Sequence, residues 1–314
     1  MSPGRPRRTG PVPALPESVA EALAFAQGLE LASAAELFET LATLAAHDLG
    51  VARAVEPHLD AVAILSQAGV AGPEGALGVF AAEGPGEPLH FADGVLNGTK
   101  PWCSLASELD GALVTATLED GQRQLLAVSL RHPGVRAVPG VWHARGLAEI
   151  PSGPVEFTDV PAEPVGDPGW YLSRPGFAWG GVSVAACWYG GAIGVARTVF
   201  AAAVERPNPF LSMHLGAIDA HLEDARRALA EAAALIDVEE DGALFAKRAR
   251  ATVARVVEDV IARAGHALGP APLALDATHA KRVADLALYV RQHHAEKDEA
   301  SLGDKLLAGG SAPW

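Results

Sequence analysis

Apolar positions recur at helical spacing in the first and last parts of the chain and alternate in short runs between them. After Ser33-Ala34-Ala35-Glu36, a capping box that starts a helix, Leu37, Leu41 and Leu44 line one face. Residues 51–68 carry Val55, Leu59, Val62 and Leu65, with a break or bend expected at Pro57. From 76 to 165 the rhythm shortens. Runs at 77–82, 99–104, 112–117, 124–130, 135–138 and 154–158 are separated by Gly, Pro, Asn and Asp, as in an antiparallel sandwich or barrel. Asn97-Gly98 and Asp120-Gly121 are hairpin signals, since type I′ turns need positive φ. Residues 161–169 read as a linker. Beyond about 175 the helical period returns: Leu215, Ile218, Leu222, Ala225, Leu229, Ala232 and Ile236 form a seam at 3-4 spacing. Residues 244–264 and 276–294 predict two more helices. The stretch 180–198, rich in Gly and Ala, predicts a helix with a close-packed neighbour.

This pattern predicts an α+β multidomain chain. A leader (1–16) precedes a short N-terminal helical region (17–75), a middle β domain (76–165) and a C-terminal antiparallel four-helix bundle (166–314). The 314 residues suffice for two or three packed units, and the net charge of −14 argues against nucleic acid or an anionic membrane surface as partner. The two cysteines, Cys103 and Cys187, form neither a disulfide framework nor a zinc motif, so no metal is expected. No uninterrupted apolar stretch predicts a membrane span. Arg5, Arg7 and Arg8 are interrupted by Pro and Gly, unlike a signal peptide, which makes the cytoplasm the expected compartment.

Candidate chemistry centres on Asn97-Gly98-Thr99-Lys100-Pro101-Trp102-Cys103-Ser104. In a strand over 99–104, Trp102 and Ser104 share a face. A ring beside a hydroxyl can hold a flat heterocycle, or the ring can be plain sheet core.

Residues 94–104, with Asp110 and the run at 112–117, resemble the "G-x-x-L-N-G-x-K-x-W-I-[ST]" strand of the acyl-CoA dehydrogenase family. Val155-Glu156-Phe157-Thr158-Asp159-Val160-Pro161 resembles that family's exit from its β domain, and Gly190 to Ala196 its glycine/alanine helix. The resemblance implies FAD held between the β domain and the C-terminal helices, with Trp102 against the flavin ring and Ser104 hydrogen-bonded to it. It further implies desaturation of an acyl-CoA or other acyl thioester: a base takes the α proton while hydride passes to the flavin. The family's cofactor site is completed by a second subunit, so an oligomer is expected, either of identical chains or with a paralogous subunit.

Several family positions differ. The loop that reaches flavin and substrate is shortened to Ala81-Ala82-Glu83-Gly84-Pro85-Gly86. Pro207 stands where an Arg reaches the FAD diphosphate; Arg206 and Phe210 are the nearest candidates, and the adenine loop is reduced to Gly265-His266-Ala267-Leu268. His293 occupies the position of the catalytic Glu, with Glu296 and Asp298 a turn away. His293 and Glu296 are therefore the base candidates, set against a solvated helix end. Gly146-Leu147 resembles a turn near the substrate thioester. Asp219, Glu223, Arg226 and Arg227 read as a solvated face, and His214 and His221 as structural. Two further readings follow: a catalytically silent subunit of a hetero-oligomeric dehydrogenase, and a flavin-dependent monooxygenase of the same fold.

Overall fold

The computed structural model describes residues 14–84, 86–174, 176–238, 242–312 and 314, so most of the expected leader lies outside the described residues. Three helices open the chain: α1 (Val19–Gln27), α2 (Ala34–His47) and α3 (Leu49–Ala68). Ser33 caps α2 by accepting from the Glu36 amide at 3.2 Å, while the Glu36 carboxylate accepts from the Ala32 amide at 3.1 Å. Asp48 caps α3 through the Gly50 and Val51 amides. Pro57 does not interrupt α3. A proline in a helix interior costs about 3 kcal/mol, and here fully buried neighbours on both sides, Val55, Ala61 and Ile64, offset it.

The β elements are β1 (Leu77–Phe80), β2 (His90–Ala92), β3 (Val95–Lys100), β4 (Gly111–Thr117), β5 (Arg123–Ser129), β6 (Val135–Ala137), β7 (Val155–Pro161) and β8 (Glu163–Val165). They form one sheet in the order β6-β7-β3-β2-β4-β5-β8, with β1 on β4. Two pairings, β1 with β4 and β2 with β4, are parallel, so the sheet is mixed rather than antiparallel throughout. The segment read as a linker includes β8, which pairs with β5. Six of the seven residues of β4 are buried because the sheet is covered on both faces. Leu113 packs with Ile64 and Leu65 of α3, while Ala112 and Val114 join the main core.

The turn expected at Asn97-Gly98 lies four residues earlier, at Asp93 and Gly94, both at positive φ between β2 and β3. Asn97-Gly98 instead makes a β-bulge against β7, where the register shifts. The Asn97 side chain bonds both the amide and the carboxylate of Asp159. Asp120-Gly121 does turn between β4 and β5, with Gly121 at φ 82°.

After a single helical turn, α4 (Trp170–Ser173), come α5 (Phe177–Glu205), α6 (Pro209–Asp237), α7 (Ala243–Leu268), α8 (Pro270–Leu275), α9 (Ala277–Tyr289) and α10 (Glu296–Ala308). The predicted seam of α6 faces inward, with Ile218, Ala225, Leu229 and Ala232 buried. Helix α5 is long and apolar enough to cross a membrane by composition, but its most apolar window is 61% buried beneath α2, α6, α7 and α9. A Cβ at Gly190 would lie 2.7 Å from Ala42 Cα, so α2 and α5 cross with their backbones in contact. The N-terminal helices thus share one core with the C-terminal bundle.

Candidate functional site

Strand β3 ends at Lys100, whose buried ammonium donates to Glu83 Oε1 and Thr115 Oγ1, both at 2.8 Å. Residues 101–105 then leave the sheet, so Trp102 and Ser104 do not share a strand face as expected. Trp102 (φ 60°) and Leu105 (φ 57°) adopt left-handed backbone, a strained conformation for large side chains. The amides of Cys103 and Leu105 donate to the carbonyls of Gly153 and Pro151. This pins the segment and leaves the Trp102 ring 57% exposed on the rim.

Ser104 is buried at the foot of that rim. Its Oγ accepts from Arg53 Nη2 at 2.9 Å and lies 2.7 Å from Ser152 Oγ. Since Ser152 donates to the Ile150 carbonyl, the Ser104 hydroxyl hydrogen goes to Ser152. The backbone amide of Ser104 has no acceptor among the described residues.

Arg53 leads inward. Its guanidinium sits 5.6 Å over the Tyr289 ring, Tyr289 stands edge-on to Trp188 at 6.3 Å, and Arg250 lies 4.9 Å over Trp188 from the α7 side. His293 meets Trp188 edge-on at 6.5 Å. Trp188 and Tyr289 are fully enclosed; the Trp188 Nε1 has no hydrogen-bond partner among the described residues, while the Tyr289 hydroxyl faces the Cys187 thiol. Buried polar atoms are normally paired, so the orphaned indole N–H is unusual.

Glu56 completes the cluster. Arg53, Glu56 and Asp60 lie three and four residues apart, on one face of α3. The Glu56 carboxyl is buried and accepts no hydrogen bond among the described residues. Burial, and after it the Asp60 charge, push its proton affinity up to about 8 against the opposing pull of Arg53 and Arg250. Burial likewise raises the Cys187 thiol and the Tyr289 hydroxyl, and lowers His293.

The predicted site residues fall into separate groups. Trp102 and Ser104 adjoin the cluster. His293 lies at its far end, with Tyr289, Trp188 and the Arg53 guanidinium between it and Ser104, and its Nε2 is 3.9 Å from Asp298. Glu296 is exposed in the acidic first turn of α10, so it faces solvent. Arg206 is exposed beside Glu205, Phe210 is 74% exposed at the start of α6, and the Gly265 Cα faces open space. The rings of His214 and His266, 6.1 Å apart, hold the start of α6 against the end of α7, so Arg206, Phe210 and Gly265 share one end of the bundle. From Trp188 to Arg206 is about 27 Å along α5 at 1.5 Å per residue. Within one chain the two groups do not converge.

His221 pairs with Asp259 at 2.7 Å, and Glu223 with Arg226 and Arg227 on the solvated face. The carboxylates of Asp48, Glu149 and Asp285 lie within 4.8 Å of one another, but the Lys281 ammonium stands among them at 2.7–3.0 Å and supplies the cation. Gly146-Leu147 docks on α9, with the Leu147 amide donating to Asp285 at 2.6 Å. A cavity of about 90 Å³ lined by Thr115, Gln124, Tyr171 and Phe177 lies beside β4 and β5.

No family model and no curated protein matches the chain. Solved structures do. FMN-bound TdsC from Paenibacillus sp. A11-2 superposes with a TM-score of 0.79 at 18% identity, over 94% of this chain and 88% of that one. Another TdsC structure names it a dibenzothiophene monooxygenase. KijD3, in complex with FMN and a dTDP-linked amino-keto sugar, gives 0.76 at 20% identity over 93% and 84%. The Tcur3481–Tcur3483 steroid ACAD gives 0.71 at 20% identity over 93% and 88%. The fold is that of the acyl-CoA dehydrogenase-type flavoproteins.

That fold brings α3, α5, α7 and α9 around the Ser104 foot, and Arg53, Glu56, Trp188, Arg250 and Tyr289 were not among the residues expected there. Glu56 carried the one visible signal, a carboxylate set among Ala52, Val55 and Leu59 on an apolar helix. The others need the packing of four helices to be brought together.

The ring half of a flavin fits the chain in part. Trp102 presents an open aromatic plane and Ser104 a free amide donor, while the Ser104 hydroxyl is engaged by Arg53 and Ser152. The residues expected to hold the diphosphate and adenine half, Arg206, Phe210 and Gly265, lie at the other end of the bundle.

Proposed function

We propose that this chain is a flavin-dependent oxidoreductase that takes the isoalloxazine ring at the Trp102–Ser104 rim. The observation that carries the reading is the open Trp102 plane beside the unpaired Ser104 amide, at the edge of a buried cluster of Arg53, Glu56 and Tyr289. FMN is the favoured cofactor, because Arg206, Phe210 and Gly265, proposed for the far half of FAD, lie about 27 Å along the bundle. A second subunit that turned this end toward the rim would let FAD serve, and the exposure of Phe210 suits such an oligomer in the cytoplasm. Bound flavin accepts hydride or activates oxygen; the protein orients the ring and manages the proton.

Oxidation of an acyl thioester rests on the sequence resemblance. Neither base proposed for it is well placed, since His293 is packed behind Trp188 and Glu296 faces solvent. Oxygenation needs no α-proton base, and the FMN-bound TdsC fold supports that alternative. The silent-subunit reading is favoured by one observation, the engagement of the Ser104 hydroxyl by Arg53 and Ser152.

Mixing purified chain with FMN and with FAD, and following the visible flavin band, tests the proposal. FMN is expected to bind at least as well as FAD, and Trp102→Ala to weaken it about tenfold, the stacking of one aromatic ring. A chain that binds neither flavin, alone or with added partner subunit, overturns the reading. Anaerobic addition of acyl-CoAs then separates the chemistries: bleaching of the flavin supports dehydrogenation, whereas no bleaching there, with chain-dependent oxygen consumption in a separate aerobic assay supplied with reduced FMN, supports oxygenation.

A further inference from the structure

The cavity beside β4 and β5 has an apolar mouth and a polar end. Tyr171 and Phe177 meet edge to face, with ring centres 5.3 Å apart, and Leu172 and Phe177 are exposed where they line it. At the polar end Arg123 and Gln124 stand side by side on β5, with Thr115 across from them on β4. Gln124 is buried and turns its Nε2 to the carbonyls of Leu125 and Gly166 at 2.8 and 3.0 Å, so its Oε1 is left without a donor among the described residues. The Arg123 guanidinium makes no hydrogen bond among the described residues. Its nearest carboxylate, Glu83 at 3.9 Å, is already held by the Lys100 ammonium at 2.8 Å. A free acceptor thus adjoins a free donor, an arrangement that a neutral group with one of each satisfies. An anion would instead meet Glu83, whose Oε1 lies 3.2 Å from the Thr115 hydroxyl on the cavity wall. At about 90 Å³ the cavity is smaller than the roughly 150 Å³ that encloses benzene. One ring therefore enters in part and rests on the apolar mouth, and a three-ring flavin is excluded. The strip Glu83-Gly84 separates the cavity from the rim: a Cβ at Gly84 would lie 3.0 Å from Pro101 and 3.9 Å from Trp102 Nε1.

We propose that this cavity is the substrate pocket of the chain and takes a small uncharged aromatic ring whose substituent both donates and accepts a hydrogen bond, as a carboxamide does. The substituent donates to Gln124 Oε1 and accepts from Arg123, while the ring extends the edge-to-face pair of Tyr171 and Phe177. This names the substrate class of the oxidoreductase proposed above and rests on that reading for its catalytic meaning, since only a flavin ring at Trp102 makes an occupant of the cavity its neighbour. The binding itself needs no flavin.

Titration of the purified full chain, free of flavin, with benzamide, benzoate and N,N-dimethylbenzamide tests this by calorimetry. Benzamide is expected to bind about tenfold more tightly than the anion, which Glu83 repels, and than the dimethyl compound, which has no N–H for Gln124. Arg123→Ala and Phe177→Ala, both at exposed positions, should each weaken benzamide about tenfold while the melting temperature stays within a few degrees of wild type. With FMN at saturation benzamide should still bind and should shift the visible flavin band. Absence of benzamide binding at ten millimolar overturns the proposal, as do equal affinity for benzoate or dimethylbenzamide and an unchanged affinity in Arg123→Ala. Mutual exclusion of FMN and benzamide, or a flavin band that benzamide leaves unmoved, overturns the substrate role. A chain that binds benzamide with these preferences but takes up no flavin keeps the pocket and sinks the oxidoreductase reading, so the two failures are separate results.

Discussion

A carboxyl that burial keeps protonated ties the stability of the folded chain to pH, and for Glu56 the sign is set by which state holds the proton longer. Below its ordinary value near 4.5 the carboxyl is neutral in both folded and unfolded chains. Between there and about 8 the folded chain binds more protons, so raising the pH removes stability; above about 8 the loss is complete and constant. Glu56→Gln removes this dependence. The variant should match wild type near pH 5 and exceed it near pH 9 by about 2–4 kcal/mol, an order-of-magnitude figure from 1.36 kcal/mol per pKa unit, reduced because Asp60 titrates alongside. Denaturant unfolding at the two pH values checks it, and parallel stability profiles for the two proteins would sink it. At this scale the sequence was partly legible. Trp102 and Ser104 were singled out because a ring and a hydroxyl two residues apart form a local pattern. Their expected shared face was not found, because the left-handed backbone at Trp102 is imposed by the hydrogen bonds of its neighbours to residues 151–153.

At the scale of elements, helices were read well where one face is buried, and strands where turn residues bound them. The α6 seam shows the first case, since its 3-4 spacing is the geometry of a buried stripe. Asn97-Gly98 shows the limit of the second: the dipeptide permits positive φ, but the Asn97–Asp159 pair uses it for a bulge while Asp93-Gly94 makes the turn. The expected close neighbour of α5 is present, and it is α2, from the other end of the chain. Two helical glycines therefore respond oppositely to the same change. In an open helix position alanine is better than glycine by up to about 1 kcal/mol. Gly216 in α6 is such a position, exposed and with nothing near a Cβ, so Gly216→Ala should stabilise by about 0.5–1 kcal/mol. Gly190 has the Ala42 backbone in the way, and Gly190→Ala should destabilise by about 2 kcal/mol, the cost of overpacking outweighing the gain in propensity. Thermal unfolding of the two variants gives the comparison, and shifts of the same sign would mean that α2 does not cross α5 at Gly190.

At the scale of the whole molecule the N-terminal helices share one core with the C-terminal bundle, and contacts between such distant segments carry no local pattern. Lys281 is the clearest instance. On α9 it reaches Asp48 at the junction of α2 and α3, Glu149 in the loop before β7, and Asp285 one turn on, so one ammonium ties N-terminal helices, sheet and bundle together. Its hydrogen bonds to these carboxylates outweigh desolvation and raise its proton affinity, so the stability it adds is lost only as pH rises past its already alkaline range, and it stays constant through neutral pH. Lys281→Met leaves three carboxylates facing one another, Asp285 almost wholly buried. The expected cost is about 1–3 kcal/mol, below that of a fully buried pair because Lys281 is itself 39% exposed. The same substitution creates something the native chain lacks. Three carboxylate oxygens within 4.8 Å, freed of their lysine, have the chemistry of a site for calcium or magnesium. Millimolar calcium should therefore raise the melting temperature of Lys281→Met and leave that of wild type unmoved. A variant as insensitive to calcium as wild type would show that the carboxylates move apart once the ammonium is gone, and that the three segments are held together by their apolar core alone.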